Sequence, residues 1–252
     1  MKINDLVATI DTILTPERFK DYCPNGLQIQ GREEVNKIVT GVTASMELLE
    51  AAKAHGADAI LVHHGYFWRG EAPQIVGIKQ RRIKFLLDND INLLVYHLPL
   101  DMHAELGNNV QLARVLNMHL DGWAGENNMV AIGSLAASTS LADFATSIEV
   151  ALQRKPQMIC DMGGDLTKMV KRVAWCTGAA QGYMETAVAN HVDVFISGEI
   201  SEQTVHLARE SNTSYIAAGH HVTERYGVQA LGQYLAQNFG LEHVFIDCNN
   251  PV

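Results

Sequence analysis

Three short stretches of this 252-residue chain set imidazoles and carboxylates at spacings that suit metal binding. His63 and His64 end the apolar run Ala59-Ile60-Leu61-Val62 and are followed at once by Gly65. His97-x3-Asp101 and His220-x3-Glu224 each place an imidazole four residues before a carboxylate. Neighbours in a regular strand point to opposite faces, so a His-His pair serves one site only at a strand end, where Gly65 is expected to let the chain turn. His63, His64, Asp101, His220 and Glu224 together are the natural complement of a two-metal hydrolytic site. His97 stands in reserve, as a direct ligand or as a group that orients one. Its link to Asp101 is expected to be non-helical, because Leu98 precedes Pro99. Mixed nitrogen and oxygen donors without thiolate suit two divalent ions drawn from Fe, Mn, Zn or Ni.

Single residues carry blander alternatives. Glu199 ends a strand and is a candidate for orienting water or a ligand, or else a helix cap or a solvated carboxylate. His103 reads as a helix start, and His221 is expected to point away from the site. His55, His119, His191, His206 and His243 have no acidic or imidazole partner at useful spacing and belong on the surface or in satisfied packing. Ser45 and Ser197 follow strands, where small residues mostly permit close turns. Tyr66-Phe67-Trp68 borders the site, either to stack on a planar base or to seal a subunit contact.

The elements that must position these residues occur twice. Lys37-Ile38-Val39-Thr40-Gly41 resembles Arg172-Val173-Ala174-Trp175-Cys176, and Asp58-Ala59-Ile60-Leu61-Val62 resembles Asp193-Val194-Phe195-Ile196-Ser197. Lys37 and Arg172 are 135 positions apart, as are Asp58 and Asp193. Met46 to Ala54 and Met184 to Asn190 read as the intervening helices, with Leu48, Leu49, Ala52, Tyr183 and Ala187 as inward positions. Leu93-Leu94-Val95-Tyr96-His97 then matches Ile216-Ala217-Ala218-Gly219-His220, and Asp101 falls opposite Glu224. Strand, helix, strand, helix, strand is written twice, which predicts an α/β fold of two related domains with mainly parallel sheets. Sites in such sheets form outside the carboxyl ends of strands, where His63, His97 and His220 lie.

Leu6, Ile10, Ile13 and Leu14 mark an amphipathic first helix. Asp121 to Asn128 reads as a linker, which puts the first domain at 1–125 and the second at 126–225. A last helix through Val228, Leu231 and Leu235 and a strand at Val244-Phe245-Ile246 are expected to return 226–252 to the first domain.

Composition narrows the function classes. A formal charge of −9 argues against a general nucleic-acid surface. Four widely spaced cysteines without a C-x-x-C pair read as reduced packing thiols. No stretch approaches the ~20 apolar residues of a membrane span, and the first residues start no signal peptide, so a cytoplasmic location is expected. Neither a phosphate loop nor a nucleophile elbow is present.

The motifs Asp21-Tyr22-Cys23-Pro24-Asn25-Gly26-Leu27-Gln28, Gly41-Val42-Thr43-Ala44-Ser45, Val62-His63-His64-Gly65-Tyr66-Phe67-Trp68, His97-Leu98-Pro99-Leu100-Asp101, Gly107-Asn108-Asn109, Ser197-Gly198-Glu199 and Ala218-Gly219-His220-His221-Val222-Thr223-Glu224 resemble the YbgI-like dinuclear metal-centre family. Its members are often labelled GTP cyclohydrolase type 2 homologues. The resemblance runs nearly end to end and is least detailed from Ala124 to Thr167. It implies two similar, intertwined three-layer (α/β/α), Rossmann-like domains, a homohexameric ring and two metal ions. It implies metal ligation by His63, His64, Asp101, His220 and Glu224, with Glu224 bridging the ions. It also implies a nucleotide-like small-molecule substrate and GTP cyclohydrolase-like hydrolysis. The alternative is a non-catalytic ring scaffold or metal-handling protein, possible partners including nucleic acid.

Overall fold

A computed structural model describes residues 1–160 and 162–252. In chain order it runs α1 (Ile3–Leu14), β1 (Gly26–Ile29), β2 (Lys37–Thr43), α2 (Met46–Ala54), β3 (Ala59–His64), α3 (Gly77–Asp88), β4 (Asn92–Val95) and α4 (Leu98–Met102). It continues through α5 (Asn108–Val115), β5 (Met118–Ala124), β6 (Val130–Ser140), α6 (Leu141–Leu152), β7 (Gln157–Ile159), β8 (Met169–Trp175) and α7 (Met184–Ala189). β9 (Val194–Ser197), α8 (Glu202–Glu210), β10 (Ser214–Ala217), α9 (His220–Phe239) and β11 (Glu242–Phe245) complete it. The fold is mixed α/β with two sheets. Two compact units result: one holds Met1–Gly107 and Arg225–Asn249, the other Asn108–Glu224 and Asn250–Val252.

The sheet of the first unit has the order β1-β4-β3-β2-β11. β2, β3, β4 and β11 are parallel, and β1 closes one edge antiparallel to β4. Strand residues alternate between two cores, as a pleated sheet with both faces covered requires. Val39, Ile60, Val62, Leu93 and Val95 pack with Leu48, Leu49 and Ala52 of α2 and with Ile83 and Leu86 of α3. Ile38, Ala59, Leu61 and Leu94 pack with Leu6, Ile10 and Leu14 of α1 and with Val228, Leu231 and Leu235 of α9. α2 starts where Ser45 caps it, its hydroxyl accepting from Leu48 N at 3.2 Å.

The second sheet has the order β5-β6-β8-β9-β10-β7. β8, β9 and β10 are parallel, whereas β5, β6 and β7 pair antiparallel to their neighbours. Ala174, Phe195 and Tyr215 pack with Met184 and Ala187 of α7 and Ala208 of α8. Trp175 is fully buried on the other side of its strand from Ala174, and its indole N–H donates to Asn109 O of α5 at 2.9 Å.

One contact recurs in both units. Asp58 Oδ2 accepts from the backbone N–H groups of Asn36 and Lys37 at 2.9 and 3.0 Å. Asp193 Oδ2 accepts from those of Lys171 and Arg172, both at 2.8 Å. Each carboxylate, just before its own strand, fastens two consecutive N–H groups of the neighbouring one, at the start of β2 and in the middle of β8. Arg32 adds an ion pair to Asp58 at 2.7 Å.

Two local expectations change. Asp121 to Ala124, read as the start of a linker, is the end of β5 and pairs with β6. Its Asp and Gly content suits an exposed edge strand as well as a loop. The chain leaves the first unit earlier, between Gly107 and Asn108. Leu98–Met102 is a short helix despite Pro99, because a proline in the first turn forfeits no intrahelical hydrogen bond.

Candidate metal centre

In the first unit the histidines stand where parallel strands end. β3 runs to His64, and β4 ends two residues before His97. The rings of His63 and His64 lie 4.7 Å apart, and those of His63 and His97 4.9 Å. A donor nitrogen from each of His63, His64 and His97 falls within 4.8 Å of the others, close enough for a shared ion. Gly65 has no left-handed backbone. A Cβ there would lie 2.3 Å from Val95 Cγ2 and 2.5 Å from Gln28 Oε1, so glycine serves close packing under the turn. Gln28 seals that turn, accepting from Tyr66 N at 2.8 Å and donating to Tyr66 O at 3.0 Å. The positive φ falls instead on Phe67, at 66°.

Every one of these imidazoles is held through Nδ1. His63 Nδ1 meets Tyr96 O at 3.0 Å, His64 Nδ1 meets Thr43 Oγ1 at 3.1 Å, and His97 Nδ1 meets Asp21 Oδ1 at 2.6 Å. A carbonyl and a carboxylate only accept, so Nδ1 of His63 and of His97 carries the proton, and Nε2 is left as the ligand atom of the neutral ring. His63 Nε2 lies 3.4 Å from Asp101 Oδ1, with His63 fully buried and Asp101 nearly so. A ring lone pair and a carboxylate oxygen at that distance repel unless a proton or a cation lies between them.

In the sequence Asp21 stands out only as part of a motif. It also accepts from Tyr22 N at 2.6 Å and, through Oδ2, from Asn25 Nδ2 and Leu98 N, both at 2.9 Å. Burial works against its charge, but His97 and these donors outweigh it and hold the carboxyl below the usual carboxylate range. Asn25 completes the clamp by accepting from His97 N at 2.8 Å. Trp68 stands edge-on to His97, ring centres 5.0 Å apart, while Tyr66 is buried with its hydroxyl donating to Ala44 O at 2.9 Å.

In the second unit, His220 and Glu224 occupy the first turn of α9, one turn apart on one face. His220 Nε2 lies 3.0 Å from Glu224 Oε2, and His220 Nδ1 lies 2.7 Å from Glu199 Oε1. Burial disfavours the imidazolium, yet hydrogen bonds and charges from Glu224 and Glu199 prevail and raise the His220 pKa to about 9. The loop after β8 closes against this turn. Gly178 N donates to Thr223 Oγ1 at 3.1 Å, Ser197 Oγ donates to Gly178 O at 3.0 Å, and Gly198 N donates to the same carbonyl at 2.8 Å. Gly178 has φ +69°, and a Cβ on it would lie 2.0 Å from Glu224 Oε1 and 3.2 Å from His220 Nε2. The space at the donor atoms exists because residue 178 has no side chain.

The first unit thus groups His63, His64 and His97 closely enough to hold a metal ion, and the second places His220 beside the buried Glu224; these nitrogen and oxygen donors fit a divalent cation. Fold and donors together define an α/β protein with candidate metal ligands at the ends of its parallel strands. The Duf34/NIF3 (NGG1p interacting factor 3) family model matches residues 1–251, and the chain belongs to that family. A Pseudomonas aeruginosa relative named GTP cyclohydrolase 1 type 2 homolog is 56% identical over 252 residues, covering 99% of this chain and 98% of the relative. An Escherichia coli relative of the same name is 49% identical over 251 residues, with all of both chains covered. Among solved structures, the protein ybgI, of unknown function, superposes with a TM-score of 0.96 at 49% identity over 100% of both chains. A Thermus thermophilus protein follows at a TM-score of 0.89 and 32% identity, again over 100% of both chains. The YbgI-like resemblance read from the motifs is thereby established. No helix among the described residues is long and apolar enough to cross a membrane.

Proposed function

We propose that this chain is a dinuclear metal-dependent hydrolase whose ions are held by His63, His64, Asp101, His220 and Glu224. The observation that carries the reading is that His63, His97 and His220 each set Nδ1 against a carbonyl or carboxylate, while Nε2 of His63 faces Asp101 and Nε2 of His220 faces Glu224. When bound, two divalent ions supply Lewis acidity and make water a nucleophile near neutral pH, against an electrophilic carbon or phosphorus. His63 and His220 would hold one ion and His64 and Asp101 the other, with Glu224 serving both. His97, fixed by Asp21, offers Nε2 as the atom that carries a proton to or from a bound substrate. The relatives' name supports a nucleotide-like substrate, with Trp68 as the stacking surface. A homohexameric ring in the cytoplasm and an origin of the two units by internal duplication complete the reading. The paired Asp58 and Asp193 contacts support the duplication.

The second reading is a metal-binding scaffold with little catalysis. The burial of Tyr66 favours it, since one of the aromatic platforms for a planar base is thereby lost. One experiment separates the two: metal analysis of the purified protein and of Glu224→Ala, beside assays on GTP and a panel of esters, amides and phosphoesters. Two ions per chain, a loss of both in Glu224→Ala, and a turnover abolished by chelation and restored by Mn, Zn or Fe are expected. A full metal complement in Glu224→Ala refutes the ligand set. A metal-replete protein inert on the whole panel refutes the hydrolase and leaves the scaffold.

A further inference from the structure

The sequence marks Glu199 as a candidate for acting on water, but its carboxylate is committed elsewhere. We propose that Glu199 is a positioning residue for metal binding: it fixes His220 in the Nδ1–H tautomer and thereby commits Nε2 to an ion. The inference rests on the metal reading above and holds whether or not the protein is catalytic.

Four observations meet at this residue. Glu199 Oε1 lies 2.7 Å from His220 Nδ1, so the bond is short and charge-assisted. On the opposite side of the same ring Nε2 faces Glu224 Oε2 at 3.0 Å, so Glu199 and Glu224 address different nitrogens and have different tasks. The backbone of Glu199 is itself tied down, because the buried Tyr215 hydroxyl donates to its carbonyl. The arrangement also recurs independently: in the other unit Asp21 holds Nδ1 of His97 at 2.6 Å, and the His97-x3-Asp101 element has the same spacing as His220-x3-Glu224. A ring left to itself would interconvert between tautomers and rotate about χ2. The carboxylate removes both freedoms and makes Nε2 a better donor by stabilising positive charge on the ring. Its partial exposure moderates the charge effect, leaving geometry as the larger part.

The test uses the full chain, stripped with a chelator and titrated with Co2+ against a competing metal-binding dye, with the visible ligand-field absorption recorded in parallel. His220→Ala serves as the reference for loss of the ligand itself. Glu199→Ala is expected to weaken Co2+ binding by roughly 10- to 100-fold and to change the absorption band. Glu199→Gln keeps an acceptor oxygen at nearly the same place and should recover most of the affinity and the native band. Recovery by Gln distinguishes positioning from a general loss of fold, and Gln also serves should the Ala variant not fold. Wild-type affinity and spectrum in Glu199→Ala, while His220→Ala loses the metal, overturn the role of Glu199 alone. Unchanged binding in His220→Ala overturns the metal reading beneath it.

Discussion

Replacing Gly178 by alanine would test the site without touching a ligand. The new Cβ would arrive 2.0 Å from Glu224 Oε1, 2.9 Å from its Cδ and 3.2 Å from His220 Nε2. Carbon and oxygen settle near about 3.5 Å, so the carboxylate must retreat by more than about 1 Å. Binding sites tolerate displacements of about 0.5 Å, so the ion at His220 and Glu224 should bind at least about tenfold more weakly. Stability should suffer on two counts. The left-handed backbone at φ +69° costs an alanine about 1–2 kcal/mol, and overpacking adds about 1–3 kcal/mol. Gly56→Ala is the matched control, because Gly56 has φ +70° and no atom within 4 Å of the added Cβ. It should lose only the backbone share and keep its metal. Both variants would be measured by metal competition titration and by denaturant unfolding of the metal-free form. Equal metal affinity in Gly178→Ala and Gly56→Ala would refute the claim that the space beside Glu224 is where an ion binds.

Protons should compete with metal at His220. With its pKa raised from 6.5 to about 9, the metal-free protein gains stability from the charged ring that is fully present below about pH 6.5 and lost as pH rises through about 9. Metal affinity has the opposite slope, rising by about tenfold per unit as the pH climbs toward 9 and levelling above it. Calorimetric titrations at several pH values would show this, and a pH-independent affinity would contradict it. Asp58→Ala and Asp193→Ala should each destabilise by about 1–3 kcal/mol, because each strips two backbone N–H groups of the neighbouring strand of their acceptor. Asp58 should cost more because it also pairs with Arg32, and denaturant unfolding would rank the two.

Much of the fold can be read from periodicity. The helix Met46–Ala54 announces itself through Leu48, Leu49 and Ala52 and the capping Ser45, and the strands through continuous apolar runs. Val228, Leu231 and Leu235 mark the buried stripe of α9 in the same way. β5 is harder, since an exposed edge strand and a loop share a polar composition. The histidines are legible because their spacing is local, whereas their anchors are not. Asp21 reaches His97 across 76 positions, and Glu199 reaches His220 across 21. No periodicity connects such pairs; only the folded sheet brings them together. Gly178 is illegible for a related reason, because its importance lies in a side chain it lacks.

The division between the two units after Glu224 falls within helix α9. One turn beyond Glu224, Val228 is already part of the buried core of the first unit. The constraint this places on descent is severe. A gene rearrangement that separated the chain at this point would have to cut through a helix. Recombination can sample loops freely, but here it would have to preserve helical phase across the join. The two units are accordingly expected to be inherited together, and a chain split between Glu224 and Arg225 should fail to reassemble where one nicked in an exposed surface turn succeeds.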